Sequence, residues 1–283
     1  MKILITGASG QLGRALQHRF RAEHDLLALS HSELDVGDRE AVLALVGERP
    51  DLILHAAAMT DVDGCERDPE AAYRANAFGT RNVALLAGQC DAVMLYVSTD
   101  YVYDGRKDVP YWEWDAPNPL SVYAASKLAG EWFVQNLLSR FYIVRTAWVY
   151  GPGGNNFPGK IVALSEKQPS LSVVTTEIGH PTYAPHLASG IYRLVHSGAY
   201  GLYHVVNEGC VSRYDFARAI LTAAGKGEYC VEPVERFPRP ATRPARVELA
   251  TFAAREVGAA LPSWEEGLRA WIAAERGQDA QST

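Results

Sequence analysis

The chain has 283 residues, of which 48% are hydrophobic and 21% charged, and it carries a net charge of −6. Such a composition fits a folded chain with one large domain or two unequal lobes. Acidic and basic residues are interspersed and no Lys/Arg-rich block occurs, so neither nucleic acid nor an anionic membrane is an expected partner.

Met1 runs directly into KILITG, which reads as a strand and not as a charged segment followed by a cleavable apolar one. No apolar run approaches the roughly 20 residues that cross a bilayer as a helix. Along the first half, Lys2–Thr6, Leu26–Ser30, Leu52–His55, Val93–Ser98 and Tyr142–Arg145 are brief apolar runs with polar or turn residues at their ends, the pattern of buried strands. Between them, residues 11–22, 38–48, 69–88 and 119–139 carry apolar positions at helical spacing, with Pro69 and Pro119 near helix starts. This alternation predicts an α/β fold: a Rossmann-type, doubly wound parallel sheet with helices on both faces and ligands at the carboxyl ends of its strands.

After residue 147 the rhythm loosens into the Gly/Pro/Asn-rich stretch WVYGPGGNNFPG. Helical spacing returns at 158–167, 184–196, 213–224 and 264–275, with strands at 171–174 and 201–206. Pro233, Pro238, Pro240 and Pro244 punctuate an irregular stretch. We divide the chain into a dinucleotide-binding domain over 1–147, with later segments near 171–206 interleaved, and a smaller substrate-binding lobe mainly over 148–275. A flexible tail follows over 276–283. Cys65, Cys90, Cys210 and Cys230 lie far apart with no C-x-x-C pair, as expected of reduced structural thiols in a cytoplasmic protein.

In ILITGASGQLGRAL, Gly7, Gly10 and Gly13 stand between a strand and a helix. Glycines here allow a tight turn, close approach of a pyrophosphate and close helix–sheet packing, while N–H groups at the helix start meet the anion. The second strand ends in Ser30-His31-Ser32, where a chain committed to NAD usually has a carboxylate. Ser30, His31 and Arg14 suit a 2′-phosphate, which favours NADPH and leaves NADH open. After the third strand, the small residues Ala56, Ala57 and Ala58 let a cofactor pass close to the backbone, and Thr60 and Val62 point onward to the nicotinamide.

YAASK places Tyr123 and Lys127 at i and i+4 of a helix, on one face. A free tyrosine titrates near pH ~10, and a nearby ammonium is expected to lower that value and ready the phenol for proton transfer to a ketone. Lys127 can also bond the nicotinamide ribose. A second Tyr-x-x-x-Lys, Tyr103 and Lys107, spans an Asp-Gly turn and is set aside. The fourth strand ends in VSTDYVYDG, so Thr99 is placed to bond the same substrate oxygen, and Asp100 and Tyr101 to meet substrate hydroxyls.

The segments TGASGQLGRAL, ELDVGD, HAAAMTDVDGCE, STDYVYDG, YAASKLAGE and RTAWVYG, in that order, make the first half resemble the dTDP-4-dehydrorhamnose reductase family of the extended short-chain dehydrogenase/reductase superfamily. The resemblance implies NADPH- or NADH-dependent reduction of the 4-keto group of a dTDP-6-deoxyhexulose to give dTDP-L-rhamnose. It implies that Gly10, Gln11, Leu12, Ser30, Asp35, Val36, Ala57, Ala58 and Thr60 line the cofactor and that Thr99, Tyr123 and Lys127 are catalytic. Asp100 and Trp148 would contact the sugar nucleotide. Related dehydratases carry a Thr-Asp-Glu triplet; Tyr101 in the third place favours simple keto reduction.

The second half departs from the family pattern. Thr176-Glu177 stands where an Asp-Gln pair is usual, His180 replaces a glutamine, and Arg243-Pro244-Ala245-Arg246-Val247 lacks the serine of RPxxS. His180 either contacts substrate or fills the space of that glutamine. No metal-ligand cluster can be read, and a homodimer is left open. Two other readings remain: a reductase or epimerase of another nucleotide sugar, and a non-catalytic NADP-binding regulatory subunit, because the regulatory subunit of methionine adenosyltransferase resembles the same family.

Overall fold

The computed structural model describes residues 1–153 and 155–279. Through the first half, β1 (Lys2–Thr6), α1 (Gln11–Phe20), β2 (Asp25–Leu29), α2 (Arg39–Ala44), β3 (Leu52–His55), α3 (Val62–Arg67), α4 (Pro69–Tyr73), α5 (Gly79–Cys90), β4 (Val93–Thr99), α6 (Val122–Leu137) and β5 (Phe141–Thr146) alternate. The second half adds β6 (Val149–Tyr150), α7 (Phe157–Ser165), β7 (Ser170–Val174), β8 (Ile178–Gly179), β9 (Thr182–Tyr183), α8 (Ala184–Ser197), β10 (Gly201–His204), β11 (Val211–Ser212), α9 (Arg213–Ala223), β12 (Cys230–Val234), α10 (Phe252–Glu256) and α11 (Trp264–Asp279).

Six strands form one parallel sheet in the order β10-β5-β4-β3-β1-β2. Alternate residues of β1 explain why helices cover both faces. Ile3 and Ile5 pack with Leu12, Leu16 and Phe20 of α1 and with Leu187, Ile191 and Leu194 of α8. Leu4, between them, packs on the other side with Ile53, Val83, Leu86 and Val134, the last three from α5 and α6. Each such aliphatic side chain, fully buried, stabilises the fold by ~1.5–3 kcal/mol. The expected Rossmann-type sheet is the one observed. Among the described residues, no helix is long and apolar enough to cross a membrane.

Several elements differ from expectation for local reasons. The helix expected from 119 begins only at Val122, because Ser121 is extended and its hydroxyl accepts the Ala124 N–H at 3.3 Å. The single helix expected over 69–88 is α4, a π-helical turn at Arg74–Phe78, and α5. At that turn the buried Asn76 accepts the Met59 N–H at 2.8 Å and donates to the Met59 carbonyl and to Ser126 Oγ at 3.1 and 3.0 Å. This clamps the chain after β3 onto α6.

Of the two later strands expected near 171–206, only β10 joins the main sheet. The strand near 171–174 pairs instead with β12, which sequence reasoning missed. Pro233 lies within β12 and is tolerated because the pair has only edges. Helix α11 continues through Asp279, so the expected tail is helical over 276–279; residues 280–283 lie outside the described residues.

Candidate active site

The carboxyl ends of β1, β3, β4 and β5 open into a cavity of about 740 Å³. At its first wall, Gly7 has φ +71°, and a side chain there would meet the Ala57 backbone at 2.7 Å. A Cβ on Gly13 would stand 2.2 Å from the Gly7 carbonyl oxygen, so only glycine lets α1 approach this turn. Gly10 is the extended residue before α1; no side chain caps that helix and no acidic residue stands in its first turn. Its backbone N–H groups are therefore left for an anion. The rest of the Gly10–Gly13 turn, Gln11 and Leu12, lines the same wall.

Asp35 and Val36, Ala57, Ala58 and Thr60 continue the lining, followed by Val62 at the start of α3. Among the cofactor residues expected from sequence, Ser30 and Arg14 do not line the cavity. The Ser30 hydroxyl donates to Glu33 Oε2 at 2.6 Å and its N–H to the same oxygen at 2.8 Å, so Glu33 folds back over the strand tip. Arg14 is likewise turned away, donating to the carbonyls of Ser9, Pro152 and Gly153 at 2.5, 3.3 and 3.2 Å.

Thr99, Asp100, Tyr101, Tyr123, Lys127 and Trp148 meet at the other end of the cavity. The Thr99 hydroxyl donates to Asp100 Oδ1 at 3.1 Å and accepts the Tyr101 N–H at 3.2 Å. The rings of Tyr101 and Tyr123 meet edge to face with centroids 6.2 Å apart. The Lys127 ammonium donates to the Val97 carbonyl at 2.7 Å. Trp148 has φ +43°, rare for a bulky residue and costing ~1–3 kcal/mol. The Arg213 guanidinium lies 3.5 Å from the centre of its indole ring.

Burial governs the protonation states here. It depresses Lys127 to about 7, with Glu131 opposing it, and lifts Asp100 to about 7, with the Thr99 hydrogen bond opposing it. The expected lowering of Tyr123 by Lys127 is not found. Desolvation raises this phenol, and the group that opposes it most is the Thr99 hydroxyl. Tyr123 is therefore a neutral phenol at pH 7, the form that can give a proton.

The set-aside pair is structural. Tyr103 is buried and donates to the Trp112 carbonyl at 2.9 Å, and Lys107 pairs with Asp115 at 2.5 Å. His180 also lies outside the cavity. Its Nδ1–H donates to the Asn207 carbonyl at 3.1 Å and its Nε2 accepts the Leu249 N–H at 2.9 Å, so the ring braces the segments at Asn207 and Leu249 against each other.

Sequence reasoning missed Arg74, Thr146 and Arg213, which line the cavity from α4–α5, β5 and α9. Thr146 Oγ1 is buried and has no hydrogen-bond partner among the described residues, an unusual cost unless a ligand supplies one. The extended glycine turn, the uncapped helix start and this hydroxyl fit a bound dinucleotide. Arg213 is shared with a second cavity of about 460 Å³, which Lys160, Arg239, Arg243 and Phe237 also line. Glu177, at the altered family position, accepts from Arg239 at 2.7 Å and stands 3.8 Å from Arg213. Arg243 reaches Asp63 of α3 at 2.9 Å. Among the described residues no group of three or more His, Cys, Asp or Glu side chains is arranged to hold a metal ion.

The RmlD substrate binding domain family matches residues 1–276. The chain belongs to that family. It is similar to the NADP complex of dTDP-4-dehydrorhamnose reductase from Bacillus anthracis, at 40% identity with a TM-score of 0.92, covering 96% of this chain and 98% of that one. The dTDP-4-dehydrorhamnose reductase of Mycolicibacterium smegmatis is 37% identical over 280 residues, 96% of this chain and 85% of the relative. Spore coat polysaccharide biosynthesis protein SpsK of Bacillus subtilis is 36% identical over 274 residues, 96% of each chain. Family membership makes the chain an oxidoreductase with a Rossmann-type fold, as its motifs implied.

Proposed function

We propose that the protein reduces the 4-keto group of dTDP-4-dehydro-L-rhamnose to the alcohol of dTDP-L-rhamnose with NADPH. The observation that carries this reading is the convergence of Thr99, Tyr123 and Lys127 on a cavity that also contains the glycine turn and the open start of α1. The names of the relatives, and the NADP in one of them, support the substrate and the cofactor.

In this reading the Gly10–Gly13 turn holds the pyrophosphate, and Lys127 and Thr146 hold the nicotinamide end. Bound there, NADPH would supply a hydride to the carbonyl carbon of the sugar. Tyr123, neutral because it is desolvated, donates its phenolic proton to the carbonyl oxygen as that oxygen gains negative charge. An alkoxide is a far stronger base than a phenolate, so the transfer is favourable even from a phenol with a raised pKa. Thr99 turns its hydroxyl from Asp100 towards the same oxygen and fixes its position. Arg213 and the basic second cavity take the diphosphate and base, while Trp148 packs against the sugar.

The test is to follow NADPH absorbance against dTDP-4-dehydro-L-rhamnose and against UDP- and GDP-linked 4-keto sugars. Oxidation with the dTDP sugar at least tenfold faster than with the others is expected. Equal or greater rates with another base, or none with any, would overturn the assignment.

A further inference from the structure

We infer that Arg74, with His31, forms the subsite for the 2′-phosphate of the cofactor and selects NADPH over NADH. This rests on the reading of the cavity as a dinucleotide site and names the residue that reads one phosphate of that ligand. The positive charge expected at the tip of β2 is not where the sequence put it, since Ser30 is tied to Glu33 and Arg14 to carbonyls of the neighbouring loop. Only His31 of that trio lines the cavity.

The cation comes instead from the π-helical turn that interrupts the helix before α5. Such turns are rare and occur mostly at functional sites, because the inserted residue re-aims its neighbours. Arg74, the first residue of the turn, extends into the cavity and its Nη2 donates to the Asp35 carboxylate in the loop after β2. Its stem lies along Gly37, where an added Cβ would stand 3.0 Å from both Cγ and Nε. A glycine backbone and a carboxylate therefore hold the guanidinium in place before any ligand arrives.

A guanidinium has five N–H donors in a fixed fork. The Arg74 side chain makes no other hydrogen bond among the described residues and is 59% exposed. The donors not given to Asp35 can grip a phosphate in two-pronged fashion, which a ribose hydroxyl cannot reproduce. Asp35 beside a bare hydroxyl would favour NADH; Asp35 committed to Arg74 serves as a brace instead.

The test is calorimetric titration of the protein, Arg74→Leu and Arg74→Lys with 2′,5′-ADP and with 5′-ADP, alongside KM values for NADPH and NADH. The native protein is expected to bind 2′,5′-ADP at least tenfold more tightly than 5′-ADP. Arg74→Leu should remove that preference while 5′-ADP affinity stays within twofold, and Arg74→Lys should keep part of it. The ratio of kcat/KM for NADPH to that for NADH should fall at least tenfold in Arg74→Leu. An unchanged preference would overturn the inference, as would equal weakening of both nucleotides, which would mean that Arg74 packs on the adenine. Failure of the native protein to bind either nucleotide would instead defeat the dinucleotide reading itself, independently of any sugar substrate.

Discussion

The Lys127 ammonium donates a 2.7 Å hydrogen bond to the carbonyl of Val97, two residues before Thr99 on the neighbouring strand. It also lies 4.3 Å from the centre of the Tyr96 ring. Helix α6 and strand β4 are thus latched together where Tyr123 and Thr99 meet in the cavity. Latching of this kind reduces the reorganisation that proton transfer would otherwise require.

The latch continues into a buried charge network. Arg145 donates to Glu131 through Nε and Nη2 at 2.9 and 2.6 Å, and the Ser98 hydroxyl donates to the same carboxylate at 2.5 Å. Both charged side chains are at most 3% exposed. Glu131→Gln strands the guanidinium without its counter-ion and is expected to cost about 3–5 kcal/mol in urea unfolding. It also removes the carboxylate that helps Lys127 hold its proton, so the alkaline fall of kcat should begin at lower pH. Stability within 1 kcal/mol of the native value would show that the pair does not hold α6 in place.

Asp100 links stability to pH. Its folded-state value is about 7 against 3.8 for an exposed aspartate, so the folded state holds the proton more tightly than the unfolded state. Stability from this group is full below pH ~4 and is lost as pH rises to ~7. Asp100→Asn has no such charge to bury. Its melting temperature relative to the native protein should therefore rise between pH 5 and pH 8. A constant difference across that range would mean that Asp100 is ionised in the folded protein throughout.

Arg213 stacks on Trp148 and borders both cavities. Arg213→Met keeps much of the side-chain bulk and removes the charge. A lost charge-assisted hydrogen bond to a diphosphate is worth ~1.5–3 kcal/mol, so KM for the sugar nucleotide should rise roughly 10- to 100-fold. NADPH affinity, measured by fluorescence titration, should stay within twofold. Parallel loss of NADPH binding would place Arg213 on the cofactor instead.

The parts legible in the sequence are those specified by neighbours along the chain. β1 and β3 match their expected bounds because each is a brief apolar run buried on both faces. Tyr123 and Lys127 are legible because helical spacing alone puts them on one face. The i,i+4 decoy at Tyr103 and Lys107 fails because no helix carries both. Arg74 and Arg213 were missed because each reaches the cavity from an element whose local pattern is merely helical. Ser30 was misplaced because a side chain three residues further on, Glu33, folds back to take its hydrogen bonds. Competition among polar partners within one short loop is not written in strand or helix periodicity.

The central claim is that the phenol of Tyr123 gives the proton, and it is tested most directly by Tyr123→Phe. Single-turnover oxidation of NADPH by the 4-keto sugar nucleotide should slow by about 100- to 10,000-fold, the usual contribution of a positioned acid. The Kd for NADPH should stay within twofold, because the ring and its packing are kept. A variant that turns over within a fewfold of the native rate, with NADPH bound normally, would contradict the account.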